Sequence, residues 1–282
     1  MRALITGGGG QLASDLAEQL GADAVSFGKS ELDITDTAAV DAAFASVSPD
    51  VVFNCAAFHN LDVCEREPDT SFAVNVRAVA DLAGRGAKLV HLSSNYVFDG
   101  RRPVSEPYRE DDVTSPRSWY AITKASGEHA ALAYGSDALV VRSSGLYGEA
   151  GSASKGGNFV QRMLGRAQED GAHLRMVSDQ VLQPTYTRDL AAALVDAVER
   201  DATGVLHLTV EGAVSWFEFT QAILENAGLS SVPLDPVTTT IPEGGVDRPL
   251  NGVLARPRAD ERGIPKLRGG REARDDYRSR AG

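Results

Sequence analysis

Cysteine is scarce. Cys55 and Cys64 are the only two in 282 residues, too few for a disulfide framework and without a zinc-ligand spacing. They read as two structural thiols in a reducing cytoplasm. The five histidines, His59, His91, His129, His173 and His207, have no metal-ligand spacing either. His91 and His207 sit inside apolar runs and read as strand residues, so no metal site is expected from the residues. No apolar run approaches the length of a membrane span. Positive charge is in deficit, with 28 Lys and Arg against 39 Asp and Glu, a net charge of -11 and a pI near 5.0. That balance argues against a nucleic-acid-binding surface, while leaving room for a local basic pocket around a phosphorylated ligand. Met1–Ile5 runs straight into glycines and reads as no signal peptide. The chain has no internal repeat. Its 43% hydrophobic content is ample for one large domain, or one domain with a smaller lobe.

What is present is a repeated alternation of strand and helix. Arg2–Thr6 reads as a short buried strand, followed by Gly7-Gly8-Gly9-Gly10 and a helix marked by Leu12, Leu16 and Leu20. Strand, glycine turn and helix form the phosphate-cradling unit of a dinucleotide fold. Glycines let the backbone approach a pyrophosphate, and the helix N-terminus offers free N–H groups. Ala24–Phe27 is the second strand. A fold that prefers NAD often places an acid at that strand's end, and here no acid precedes Glu31. Ser26 or Lys29 can meet a 2′-phosphate instead, so NADPH is expected, with NADH as the alternative. Asp33 can reach the adenine amino group, and Asp36 caps a helix over Thr37–Val47. Val51–Ala57 is an apolar strand whose end, Ala56-Ala57, allows close approach to a cofactor. Glu65–Leu82 is expected to be one long helix with Phe72, Val76 and Val79 on a shared face, and Ala87–Ser93 the next strand. Such alternation implies an α/β protein with a doubly wound parallel sheet, whose ligands sit beyond the strand C-termini.

Ser94 follows that strand, and Tyr120 and Lys124 lie four residues apart on a helix expected over Trp119–Tyr134. Positions i and i+4 share a face, so the phenol and the ammonium can point into one pocket. A phenol of pKa about 10 is a poor acid-base catalyst, and a nearby cation pulls it down. With a hydroxyl from Ser94, the set suits proton transfer to a carbonyl or alcohol oxygen. Beyond the Ala138–Ser143 strand the pattern changes. Residues 150–158 read as a glycine-rich substrate-side loop. Helices follow over Phe159–Gln168, Arg188–Glu199 and Ser215–Ala227, the last with a Ser215/Glu218 capping box. Residues 1–148 are expected to bind the dinucleotide, with the chain returning to that unit around 180–210. Residues 149–179 and 211–265 are expected to form a smaller substrate lobe, and residues 266–282 an exposed tail.

In this order and spacing the motifs resemble the extended short-chain dehydrogenase/reductases, and within them the dTDP-4-dehydrorhamnose reductase group. The segments that carry the likeness include Thr6-Gly7 to Gln11-Leu12, Glu31 to Asp36, Asn54 to Ala57, Phe72 to Asn75, Tyr96 to Gly100 and Tyr120 to Lys124. Further matches are Val141 to Ser144, Asp179-Gln180, Pro184-Thr185, Asp189 to Ala191 and Arg248-Pro249, so the likeness runs to about Pro265. The resemblance implies a Rossmann fold and a Ser94–Tyr120–Lys124 triad. In it Tyr120 protonates the carbonyl oxygen, and Lys124 binds the nicotinamide ribose and holds down the Tyr120 pKa. Gly7, Gly10, Gln11, Leu12, Lys29, Asp33, Ile34, Ala56 and Ala57 would join Tyr120 and Lys124 in holding the cofactor. The substrate would be a nucleotide-diphosphate sugar with a keto group at carbon four. Some members of the group are magnesium-linked dimers. A homodimer is compatible with the resemblance and Asp15 stands where the family often has an acid, but a full metal set is not visible.

The departures fall on the substrate side. Ser93-Ser94-Asn95-Tyr96 replaces Ser-Thr-Asp-Tyr, Gly145 stands where a tryptophan is common, and Leu182-Gln183 replaces a small pair. His59 replaces a small polar residue. His59, Asn95, Tyr96, Gly145, Phe159, Gln183 and Arg248 are the candidate substrate contacts. Reduction of a dTDP-4-keto-6-deoxyhexose is the leading reading. The alternatives are the same chemistry on a non-sugar carbonyl or imine, and an NADP-binding regulatory subunit without turnover.

Overall fold

The computed structural model describes residues 1–151 and 156–281. Its first half runs β1 (Ala3–Thr6), α1 (Gln11–Leu20), β2 (Ala24–Phe27), α2 (Thr37–Val47), β3 (Val51–Asn54), α3 (Leu61–Arg66), α4 (Pro68–Phe72), α5 (Ala78–Ala83), β4 (Lys88–Ser94), α6 (Trp119–Tyr134) and β5 (Leu139–Ser143). The second half runs α7 (Phe159–Ala167), β6 (Leu174–Val177), β7 (Val181–Leu182), α8 (Thr187–Glu199), β8 (Gly204–His207), β9 (Val214–Ser215), α9 (Trp216–Asn226), β10 (Leu234–Val237), α10 (Pro257–Glu261) and α11 (Gly270–Ala281).

The central sheet has six strands in the order β2-β1-β3-β4-β5-β8, and every neighbouring pair is parallel. The strands β1, β3 and β5 are buried along their whole length and apolar except at their C-terminal ends, as a sheet covered on both faces requires. Residues of α1 and α8 join one core, around Ile5, Phe53, Leu139 and Val141. On the other face α2, α5 and α6 contribute to a second core around Leu4, Val52, Leu89 and Val140. Because β2 and β3 flank β1 on opposite sides, the strand order reverses there, and a crevice opens beyond the strand C-termini. Two small sheets, β10-β6 and β7-β9, lie outside the main one.

Two expectations are corrected. The segment from Glu65 to Leu82 is not one helix. Glu67 has φ -126° and ψ 59° and Pro68 starts α4 afresh, then a π turn over Ala73–Arg77 precedes α5. The broken phase leaves Phe72 44% exposed and turns Asn75 inward. There the Asn75 amide binds the Phe58 backbone N–H and carbonyl and the Thr123 hydroxyl. The tail is not simply exposed either. It forms α11, which buries Ala273 and Tyr277 against Tyr147, Tyr186 and Phe219. Its polar composition hides this, because two side chains in twelve make the contact.

Candidate active site

The glycine turn is seated on its neighbours by backbone contact. Gly7 has φ +75°, and a Cβ there would lie 2.8 Å from the Ala56 amide nitrogen. A Cβ on Gly8 would lie 2.7 Å from the Phe27 carbonyl carbon. Gly10 then serves as the N-cap of α1 with no side-chain cap bond, so first-turn N–H groups remain for a ligand. A close-fitting backbone cradle under an uncapped helix fits a pyrophosphate. Gln11 is tied down, its Oε1 accepting from the Gly148 N–H at 2.8 Å. Leu12 and Ile34 are buried in the two cores, so their side chains offer a ligand nothing. Asp33 accepts from the Thr35 N–H and hydroxyl, which holds its carboxyl below the usual range. Lys29 is exposed beyond β2, where the Gly28 N–H donates to the Glu31 carboxylate at 2.8 Å.

Ser94 ends β4, and α6 carries Tyr120 and Lys124 back over the sheet. The helix starts at Ser118, whose side chain accepts from the Ala121 N–H. The Ser94 hydroxyl stands close enough to the Tyr120 phenol to act on its titration, while it accepts from the Tyr96 N–H at 3.2 Å. Burial pushes Tyr120 up to about 12, against the opposing pull of the Ser94 hydroxyl. Lys124 is 2% exposed, and burial pulls it down to about 8. Its Nζ donates to the Leu92 carbonyl at 2.6 Å and lies 3.2 Å from His91 Nε2. The expectation that Lys124 holds the tyrosine pKa down does not fit this arrangement, in which Lys124 is not among the groups acting on the phenol. Lys124 Nζ is directed at β4, and desolvation decides the phenol.

A pocket opens beside the triad. Tyr96 meets Tyr120 edge-on with ring centroids 5.8 Å apart. The lining continues through Asn95, Ser144, Gly145, Gln180, Val181, Leu182, Trp216 and Pro249. Three of the candidate substrate residues, Asn95, Tyr96 and Gly145, are brought together there. Arg248 lies near Tyr96, where its positive charge opposes the upward push of burial on that phenol. His59 stays beyond the end of β3, its Nδ1 3.2 Å from the Ala57 carbonyl. Phe159 stacks into an aromatic cluster, 4.4 Å from Trp216 and 5.6 Å from Phe219. Gln183 is not on the lining. It is buried, donates to the Val210 and Leu254 carbonyls and accepts from the Leu254 N–H, so its amide is spent on holding three segments together. Gly145 has φ +60°, and a Cβ there would fall 2.7 Å from Leu182 Cδ1. An aromatic side chain is excluded at that position, and α9 supplies one from the other wall as Trp216. Sequence reasoning missed Trp216, though the Ser215 cap placed it at a helix start. The proposed loop over residues 150–158 lies partly outside the described residues.

The family model described as RmlD substrate binding domain matches residues 1–279. The chain belongs to this family. Its relatives include the spore coat polysaccharide biosynthesis protein SpsK of Bacillus subtilis, 37% identical over 98% of this chain and 96% of that protein. Another is a dTDP-4-dehydrorhamnose reductase of Mycolicibacterium smegmatis, also 37% identical, over 98% of this chain and 84% of that one. Among solved structures, the Bacillus anthracis dTDP-4-dehydrorhamnose reductase in complex with NADP superposes with a TM-score of 0.89. It is 30% identical, and the match covers 99% of this chain and 98% of that one.

Membership raises the question of magnesium, and the acids of this RmlD-family chain do not fit it. Among the described residues no group of three or more His, Cys, Asp or Glu is placed to hold a metal ion. Asp15 is buried and accepts from the Thr187 hydroxyl at 2.5 Å. Asp189 and Asp276 share the Arg268 guanidinium, at 2.5 and 2.7 Å. The Arg268 guanidinium already occupies the space between the two carboxylates. No helix of the described residues is long and apolar enough to cross a membrane.

Proposed function

We propose that the protein reduces the keto group of a nucleotide-activated deoxysugar of the dTDP-4-keto-6-deoxyhexose type, using NADPH, with Tyr120 as the proton donor. The observation that carries the reading is the juxtaposition of three features beyond the strand C-termini. These are the uncapped glycine turn, the neighbouring Ser94 and Tyr120 hydroxyls, and the pocket lined by Tyr96 and Trp216. The relatives named as dTDP-4-dehydrorhamnose reductases, and the NADP bound by the Bacillus anthracis protein, support the substrate class and the cofactor.

Bound NADPH supplies the hydride that goes to the carbonyl carbon. The chain does the rest. Gly7, Gly8 and Gly10, with the first N–H groups of α1, hold the pyrophosphate. Lys29 faces the 2′-phosphate, Asp33 the adenine amino group, and Ala56 and Ala57 leave room for the ring system. Ser94 donates a hydrogen bond to the substrate oxygen and orients it. Tyr120 donates its proton to that oxygen as negative charge develops there. Burial suits it to the task, because a phenol pushed up to about 12 is fully protonated at neutral pH. Lys124 binds the nicotinamide ribose hydroxyls. Trp216 covers the sugar face that Gly145 leaves bare.

The test is to mix the protein with NADPH and dTDP-4-keto-6-deoxyglucose or its epimer and to follow NADPH absorbance. Loss of absorbance with formation of the 4-hydroxy sugar is expected. No loss with either sugar, in protein shown to bind NADPH, would remove the assignment.

A further inference from the structure

The strands that carry the site also carry a buried polar row. Thr6, Asn54 and His91 stand opposite one another in the registers of β1, β3 and β4. Each is 1% exposed or less. The Thr6 hydroxyl donates to Asn54 Oδ1 at 2.7 Å and accepts from the Ala56 N–H at 3.3 Å. The Asn54 amide nitrogen lies 3.1 Å from His91 Nδ1. His91 Nε2 then lies 3.2 Å from Lys124 Nζ. The row therefore starts at the amide against which Gly7 packs and ends on the lysine of the triad.

Its hydrogen-bond directions are constrained. With the Asn54 amide nitrogen donating to Nδ1, the His91 proton sits on Nε2 and must be offered to a neutral Lys124 amine. An ammonium has only hydrogens to offer. It requires a bare Nε2, hence a proton on Nδ1, hence an Asn54 side chain turned end for end so that its oxygen faces the ring. The two states of the lysine thus demand opposite polarities of the whole row, and a buried group left unpaired in either would be costly.

We propose that His91 is a positioning residue for Lys124, and that the Thr6–Asn54–His91 row reverses as a unit when the lysine gains or loses its proton. The pair takes one proton from solvent, so that amine plus Nε2–H become ammonium plus Nδ1–H. The ring is neutral in both states, as its complete burial favours. The groups facing Nζ from the neighbouring elements do not replace His91 in this role. Glu128, on α6 itself, is bound to Arg142 of β5 and to Ser93. The Cys55 thiol beyond β3 and the Tyr120 hydroxyl on α6 are both pushed up to about 12 by burial and stay neutral. On the reductase reading, the reversal would couple the floor of the phosphate turn to the charge on the ribose-binding lysine.

The tautomer of His91 tests the proposal without cofactor or substrate, so the result stands apart from the reductase reading. Protein carrying 15N in its imidazole rings is titrated from about pH 6 to about pH 10, and the His91 signals are identified by their loss in His91→Gln. The ring is expected to stay neutral, with its proton on Nδ1 at the acid end and on Nε2 at the basic end. The midpoint should lie near the lysine's value of about 8. In Lys124→Met the tautomer should stop responding to pH. In Thr6→Val, which removes the hydroxyl that holds the amide oxygen on its own side, the midpoint should rise. A tautomer that is fixed across the range in the native protein, an imidazolium at the acid end, or a switch that persists in Lys124→Met overturns the proposal.

Discussion

Burial keeps the Tyr120 phenol protonated, which suits it to the proposed role of proton donor. In Tyr120→Phe the ring still packs against Tyr96, and only the transferable proton is gone. Turnover is expected to fall by about 10² to 10⁴-fold, the usual worth of a positioned acid, with NADPH affinity unchanged. Absorbance kinetics paired with a fluorescence titration of the cofactor measure both, and near-normal turnover would take the proton donor elsewhere. Lys29 makes the complementary prediction. It is exposed, so its contribution is a charge offered to the 2′-phosphate and nothing in the fold depends on it. Lys29→Ala should weaken NADPH severalfold and leave NADH where it was, since an exposed charge pair is worth up to about 1 kcal/mol. Equal effects on the two cofactors would make it an ordinary solvated side chain.

At the scale of elements, the packing of α1 on α8 hides a carboxyl. Asp15 lies between them with Thr187 donating to it, and burial raises it from 3.8 to about 6. The native state therefore binds more protons than the unfolded chain between those two values, so stability falls as pH rises through that window. The effect is on the order of 2 kcal/mol once partial solvation is allowed for. Asp15→Asn retains an acceptor for Thr187 and should remove this part of the pH dependence, making the variant the more stable protein at pH 7 relative to pH 4. Urea denaturation of both proteins at the two pH values decides it, and identical pH slopes would mean that Asp15 is ionised throughout. The elements themselves were largely legible beforehand. The turn at Gly7–Gly10, the Asp36 cap and the Ser215/Glu218 box are local signals, and α1, α2 and α9 start where those signals put them. What was not legible depends on distance in the chain. Thr6, Asn54 and His91 are joined by strand register, separated by 48 and 37 residues. Trp216 joins Gly145 on the pocket lining only through the docking of α9. The π turn at Ala73–Arg77 imitates helical spacing until the Asn75 amide is seen to need Phe58 and Thr123.

For the whole molecule, α11 ties the far end of the chain to the phosphate turn. The Asn158 amide donates both to the Tyr277 hydroxyl and to the Gly148 carbonyl, and the Gly148 N–H donates to Gln11 at the start of α1. Arg280 adds ion pairs to Glu18 of α1 and to Glu149, and Arg268 clamps Asp189 of α8 to Asp276 of α11. The exposed pairs contribute little singly. The larger share comes from burying Tyr277 among Tyr147 and Tyr186, where truncation to Ala should cost on the order of 3 kcal/mol. A chain ended at residue 269 should therefore melt at a lower temperature, and it should also bind NADPH more weakly. Asn158 would lose Tyr277 as its acceptor, and the Gly148 strap over Gln11 would loosen. Tyr277→Phe separates the two effects. It keeps the ring in the cluster and deletes the hydroxyl, so it should retain most of the stability while still weakening NADPH. If Tyr277→Phe binds NADPH as tightly as the native chain, α11 stabilises the fold without reaching the phosphate turn.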